Sequence, residues 1–298
     1  MAKPLYRKLI VLRSWPNLLQ TSFFKKPQLS AYLSASHIAI GNNLNNLLEN
    51  SDGQIALQNS ESIPIWQQSC ERLESLLEAN KNKSNIPINI LIGSDLVRFL
   101  MLPPQQMMMN SHEKIAYATA AFQEIYGANA SNWQIKFDDN APNQPRIVAA
   151  IDKNLITRVN QITSKNHIKI NSLQPYVMTA FNESAKHFHQ SNTYLAIVEV
   201  NRLTLIFLEA GRYQQLRSHV ISDDWQADLK KILLRESALS ETACRDILVY
   251  STVLKSYSLK SHIRKAQSFT IEGWTIKSID QFKTRPIAGN YRFLKAAI

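Results

Sequence analysis

Glu199 is the one carboxylate in a stretch that reads as buried. It falls in residues 194–200, a run β-branched and apolar enough to form a strand covered on both faces, where a charge has to be paired, solvated or put to use. Put to use, it would hold a metal ion through water. Asn201 and Arg202 follow in a short polar break, which makes either an ordinary β-turn or a small anion contact. His187 and His189 would share a face of a strand, but they end a segment that reads as helix, where a spacing of two splays the rings apart. Cys70 and Cys244 have no motif around them, so a disulfide framework or zinc site is unsupported and two packed thiols in a reducing cytosol are expected. No phosphate-binding glycine loop, nucleophile elbow or zinc-helix signature occurs. A two-metal nuclease needs several converging acids, and the apolar run at 37–40 offers only His37.

The elements that must position these side chains are readable from apolar periodicity. After the run at 194–200 come a second at 203–208, a tight turn at Ala210-Gly211-Arg212, and a third at 213–220. In the third, Tyr213, Gln215, Arg217 and His219 alternate with Gln214, Leu216, Ser218 and Val220, as expected for one solvated face. Ser222-Asp223-Asp224 offers a helix N-cap, Trp225, Leu229, Ile232 and Leu233 repeat at helical spacing to about residue 239, and 246–250 is a short strand. The same strand-strand-strand-helix-strand order occurs earlier. Three short strands over 32–57 are broken at Gly41-Asn42-Asn43 and Ser51-Asp52-Gly53, a helix over 63–79 places Trp66, Cys70, Leu73, Leu76 and Leu77 on one face, and 85–92 is a strand. Between the two units lie strands at 97–102, 133–137, 146–151 and 168–173, and helices at 113–126 (closed by Gly127), from 152 or 153 to about 163, and at 174–189. Residues 269–279 form an edge hairpin or strand.

The chain has 298 residues and a net charge of +11, and 45% of it is hydrophobic, enough for two packed lobes. Only seven glycines are present, sparse for backbone loops wrapped around phosphates. Residues 1–26 hold Lys3, Arg7, Lys8, Arg13, Lys25 and Lys26 and no acid, while residues 252–298 hold nine bases against Glu272 and Asp280, so the body between them is near neutral. Basic ends either solubilise the chain or meet an acidic surface, whether anionic lipid, nucleic acid or a protein. No apolar run approaches the roughly 20 residues a bilayer span needs. The first 30 residues interleave apolar and basic side chains, and Pro16 interrupts any long helix, which favours an arm packed on the body over a membrane-surface helix. Aromatics are not interleaved with the charges as nucleic-acid stacking requires, except around Trp15 and Phe23-Phe24.

Residues 146–151 (RIVAAI) with the helix after them, 168–175 (IKINSLQP), 177–188 (VMTAFNESAKHF) and the run from Leu195 to Ile221 together resemble the central region of the PilM family of type IV pilus assembly proteins and the cytoplasmic domain of GspL from type II secretion. The likeness spans roughly residues 85–240. It implies an α/β fold of two ribonuclease-H-like, actin/Hsp70-like lobes with mixed sheets and flanking helices: a basic arm at 1–30, a first lobe with an inserted subdomain at 31–190, and a second, truncated lobe at 191–298. Where the family has the Asp-Ile-Gly turn that admits a nucleotide phosphate, this chain has Glu199-Val200-Asn201-Arg202. Where the first lobe should carry an aspartate, it has residues 37–42, ending in Gly41-Asn42. Asn places a side chain where backbone must approach phosphate, and the first-lobe position has no carboxylate for magnesium. The resemblance therefore implies a degenerate nucleotide site at Gly41, Asn42, Glu199, Asn201 and Arg202, without ATP and magnesium or catalysis. The expected function is a cytoplasmic scaffold for an inner-membrane pilus or secretion assembly protein, with Arg7, Lys8, Arg13, Lys25 and Lys26 meeting the partner or anionic lipid. The alternatives are a nucleotide-binding actin-like ATPase and a basic nucleic-acid-binding protein.

Overall fold

The same five-element unit is built twice. In the computed structural model, which describes residues 29–42, 53–54, 64–79, 86–105, 109–137, 144–188, 192–239, 244–251 and 271–278, strands β1 (Leu29–Leu33), β2 (His37–Asn42) and β3 (Gly53–Gln54) form an antiparallel meander. Helix α1 (Ile65–Ala79) crosses over and β4 (Ile88–Ile92) returns parallel to β1. The helix forms because Ser69, Cys70, Leu73, Leu76 and Leu77 recur on one buried stripe. Each fully buried leucine of that kind stabilises the fold by about 1.5–3 kcal/mol. The basic side chains Arg7, Lys8, Arg13, Lys25 and Lys26 lie outside the described residues; β1 begins at Leu29, two residues inside the stretch assigned to the arm.

Between the units the chain adds β5 (Val97–Leu102), α2 (Ser111–Tyr126), β6 (Trp133–Phe137), β7 (Arg146–Asp152), α3 (Lys153–Lys165) and β8 (Ile170–Pro175). Strands β5, β7 and β6 make a separate antiparallel sheet, and β8 pairs parallel with β4 to complete the first sheet in the order β3-β2-β1-β4-β8. Strand alternation divides the separate sheet between two cores: Val97, Phe99, Ile147, Ala149 and Ile151 join the main core, while Leu102, Ile135, Val148 and Ala150 meet Ala118 and Phe122 of α2. Two boundaries differ from the periodicity for local reasons. Helix α2 starts at Ser111, not 113, because Asn110 and Glu113 form a reciprocal capping box. Strand β8 starts at Ile170, not 168, because His167 takes the left-handed conformation (φ 54°) and the Ile168 N–H bonds back to the Thr163 carbonyl as α3 ends.

Helix α4 (Tyr176–Ser184) ends before the expected 189 and tightens into a 3-10 turn at Ala185–His187, while His189 lies outside the described residues. It leads into the second meander, β9 (Thr193–Val198), β10 (Arg202–Glu209) and β11 (Arg212–Val220), then α5 (Trp225–Leu239), β12 (Asp246–Ser251) and β13 (Thr275–Ser278). The order β11-β10-β9-β12-β13, with β12 parallel to both β9 and β13, repeats the first sheet's order and directions. Of the stretch expected as an edge hairpin or strand, Thr275–Ser278 supply a parallel edge strand. The β10–β11 turn is Ala210-Gly211 with φ of 49° and 75°, the twist that matches flanking strands.

One expectation for β11 fails. A register shift between Phe207 and Leu208 leaves Gln214 as an extra residue, so Tyr213 sits opposite Leu208 and joins Leu216 in the main core. Arg217 and His219 turn to α5 instead: the Arg217 guanidinium donates to buried Glu236 at 2.9 Å. The simple alternation that places Tyr213 on the same face as Arg217 does not survive a bulge, which moves every later side chain to the opposite face.

Candidate functional site

The first hairpin turn of each unit has the same construction. In the first, the Ser34 N–H donates to the His37 carbonyl at 2.9 Å; in the second, the Glu199 N–H donates to the Arg202 carbonyl at 2.8 Å. With Leu33 opposite Ile38 and Val198 opposite Leu203, Ser34 occupies the place that Glu199 holds in the repeat. This corrects the sequence reading of the first unit. Gly41 and Asn42 form no turn; they lie in β2, opposite Ser30 and Leu29, and the turn is Ser34–His37. The Gly-Asn pair looked like a break because both residues are poor strand formers, but pairing with β1 overrides that local preference. Asn201 is not in the left-handed region, since among described non-glycine residues only His167 and Ala210 are, and its carbonyl accepts from the Ile221 N–H at 3.2 Å. Arg202 opens β10 opposite Val220.

The structure brings these turns together around Glu199. Its Oε1 accepts from the Tyr32 hydroxyl at 2.9 Å and the Ser94 N–H at 3.0 Å, and its Oε2 is bound to the Ser94 hydroxyl. Tyr32 comes from β1 and Ser94 from the turn between β4 and β5, so a carboxyl of the second unit is held wholly by groups of the first. Asp95, beside Ser94, reaches the first hairpin: its Oδ2 accepts from the Ala35 N–H at 2.9 Å. Burial pushes the Glu199 carboxyl up to about 7, against the Ser94 and Tyr32 hydrogen bonds that favour the ionised form. Burial also raises Asp95, opposed by the Ala35 N–H and the Arg202 guanidinium, and burial beside Glu199 raises the Tyr32 phenol.

Gly93 makes this convergence sterically feasible. Its N–H donates to the Leu33 carbonyl at 2.8 Å, and a Cβ built on it would stand 2.7 Å from both the Ser34 Cβ and the Tyr32 hydroxyl and 3.0 Å from Asp95 Oδ1. Sequence reasoning missed Gly93, Ser94, Asp95 and Tyr32; the available signal was a Gly-Ser-Asp turn directly after the all-apolar Ile90-Leu91-Ile92. Aromatic rings continue the seam. Tyr32 packs edge-on to Tyr176 at 5.7 Å between centroids, Tyr176 lies 6.3 Å from Tyr250, and the Tyr250 hydroxyl donates to Glu183 of α4. Cys70 and Cys244 are both buried free thiols, and burial pushes Cys70 up to about 12. Among the described residues no group of three or more His, Cys, Asp or Glu could hold a metal ion.

No family model and no curated protein matches the chain. Solved structures do. A Bacteroides thetaiotaomicron protein with an actin-like ATPase fold and unknown function superposes with a TM-score of 0.51 at 17% identity, over 81% of this chain and 87% of that one. The cytoplasmic domain of EpsL, an inner-membrane component of the Vibrio cholerae type II secretion system, gives 0.52 at 9% identity over 86% and 90%. The PilM-PilN type IV pilus biogenesis complex gives 0.50 at 10% identity over 75% and 81%. Two sheets of identical strand order, tied together by Glu199, Tyr32 and Ser94, are thus an actin-like ATPase fold of the kind found in PilM and in the cytoplasmic domain of EpsL.

Proposed function

We propose that this chain is a non-catalytic, actin-like scaffold for an inner-membrane assembly protein of a type IV pilus or type II secretion machine, working from the cytoplasmic side. The observation that carries the loss of catalysis is the enclosure of Glu199, which is 2% exposed and whose two oxygens already accept three bonds, from Tyr32 and from the N–H and hydroxyl of Ser94. A magnesium ion at this turn would have to enter a desolvated site and compete with those donors for the carboxyl, and phosphate oxygens would meet a buried carboxyl there. The residues present therefore do not fit magnesium-ATP.

The machine and partner are supported by the likeness to the PilM-PilN complex and to the cytoplasmic domain of EpsL. On this reading, residues 31–190 are one lobe carrying the inserted sheet and 191–298 the other. Arg7, Lys8, Arg13, Lys25 and Lys26 of the basic arm meet the partner or anionic headgroups. Among the described residues no helix is long and apolar enough to cross a membrane. Two measurements test the proposal. Isothermal titration with magnesium-ATP should give no heat, and micromolar binding would return the chain to the ATPases. Affinity capture from solubilised membranes should recover an inner-membrane assembly protein, and recovery of none would sink the scaffold.

A further inference from the structure

Strand β6 closes one side of the three-stranded sheet: the order is β5-β7-β6, and among the described residues β7 is its one neighbour. No proline interrupts Trp133–Phe137, so the main-chain N–H and C=O groups on the outer side are in position to take another strand. Strands β5 and β6 both run antiparallel to β7 and therefore parallel to each other, so α2, which joins them, runs back against β6. The buried centre of α2 is Ala118 and Phe122, and the Tyr126 ring lies 5.3 Å from the Trp133 ring, which puts the flank carrying Tyr126 on the β6 side. Ile115, Thr119, Phe122 and Tyr126 follow one another at helical spacing along that flank, while Glu113 and Glu124 fall on a different line of the helix with Tyr117 and Ala120. Ile115 is 47% and Tyr126 38% exposed, so an uncharged, partly apolar flank overhangs the open strand edge.

We propose that β6 pairs with β6 of a second copy of this chain about a two-fold axis at Ile135, joining two three-stranded sheets into one of six strands with both α2 helices on the same face. The edge is complementary to itself in charge and in length. Antiparallel pairing centred on Ile135 sets Trp133 opposite the second copy's Phe137 and Gln134 opposite its Lys136, so no charge meets its like, whereas centring one residue later sets Lys136 against itself. From Ile115 to Tyr126 the helix rises about 16 Å, and from Trp133 to Phe137 the strand rises about 13 Å, so with Tyr126 beside Trp133 the middle of the flank stands over Ile135. The axis therefore brings Ile115 of each copy to Tyr126 of the other, and the two exposed apolar groups cover one another. One strand edge and one helix flank per copy make an interface at or below the standard size, which sets the association in the micromolar range. The pairing stands whether or not the scaffold reading does.

The test is sedimentation velocity of the full chain between about 1 and about 300 µM, over which the native protein should pass from monomer to dimer with a Kd on the order of 10 µM. Ile115→Glu sets a carboxylate against each Tyr126 ring at the join and should weaken the dimer at least about tenfold. Ile125→Glu is the matched control: Ile125 is 60% exposed on the other flank of the same helix, and a charge there should leave association unchanged. The melting temperature of each variant checks that it folds. If Ile115→Glu melts early, Thr119→Lys replaces it, since it sets two ammonium groups beside the axis. A native chain that stays monomeric at about 300 µM overturns the pairing, whatever else the edge then binds. So does an Ile115→Glu or Thr119→Lys chain that associates as the native does, or an Ile125→Glu chain weakened as much as Ile115→Glu.

Discussion

Replacing Gly93 by alanine tests the packing on which the whole seam depends. The added methyl would lie 2.7 Å from the Ser34 Cβ and from the Tyr32 hydroxyl, about 1 Å inside ordinary carbon contact. Neither neighbour can yield cheaply, because Ser34 Cβ is one bond from a hydrogen-bonded turn and Tyr32 is tied to Glu199. Overpacking typically costs about 1–3 kcal/mol, and with two immobile contacts the upper end is expected. That corresponds to a fall of roughly 10 °C in Tm for a domain of this size class, or a clear drop in urea midpoint at unchanged slope. Gly127→Ala supplies the control. That glycine has φ of 75° and ψ of −167°, a conformation essentially confined to glycine, but nothing within 4 Å, so its cost is backbone strain alone, about 1–3 kcal/mol. Adding Tyr32→Phe to Gly93→Ala removes one of the two clashing atoms, and the pair should cost about 1 kcal/mol less than the sum of the singles. If Gly93→Ala costs less than about 1 kcal/mol, or the double cycle is additive, the close approach of the turns is wrong.

Ala210→Gly should stabilise the protein by roughly 0.5–1 kcal/mol, because Ala210 stands at φ 49° in the β10–β11 turn and glycine removes that strain; urea unfolding measures it. Asn110→Ala removes the side-chain acceptor of the α2 capping box and should cost about 1 kcal/mol, read as a lower urea midpoint. The pH dependence of stability at Glu199 has a definite sign. A carboxyl raised to about 7 from an ordinary 4.5 contributes stability fully present below pH 4.5 and lost as pH rises through 7, at most about 3 kcal/mol for this buried group. The difference between native and Glu199→Gln unfolding free energies isolates it from Glu74 and Asp228, whose lowered values act in the opposite direction at lower pH.

The elements were legible where a single periodicity ran uninterrupted. The strands at 97–102 and 133–137 and the helix at 225–239 lie where the apolar spacing puts them, and the stripe Cys70, Leu73, Leu76, Leu77 is the buried face of α1. Legibility failed where one residue changed the phase. The extra Gln214 in β11 reversed the faces of everything after it, and the left-handed His167 delayed β8. Glu199 was readable as an unusual charge because it follows an apolar strand, but its partners lie 105 and 167 residues away.

The sequence by itself determined the order of elements in the duplicated unit, since apolar periodicity is a local property of the chain, and it singled out Glu199 as a charge needing an explanation. What only tertiary structure decided is how that charge is satisfied: by the hydroxyl of Tyr32 and by Ser94, with Asp95 and Gly93 alongside. The physical reason is that a hydrogen bond and a close approach in space leave no periodic trace in the chain. Any hydroxyl or backbone N–H could have served Glu199, and the pairing of β1 with β4 and of β9 with β12 selected which ones did.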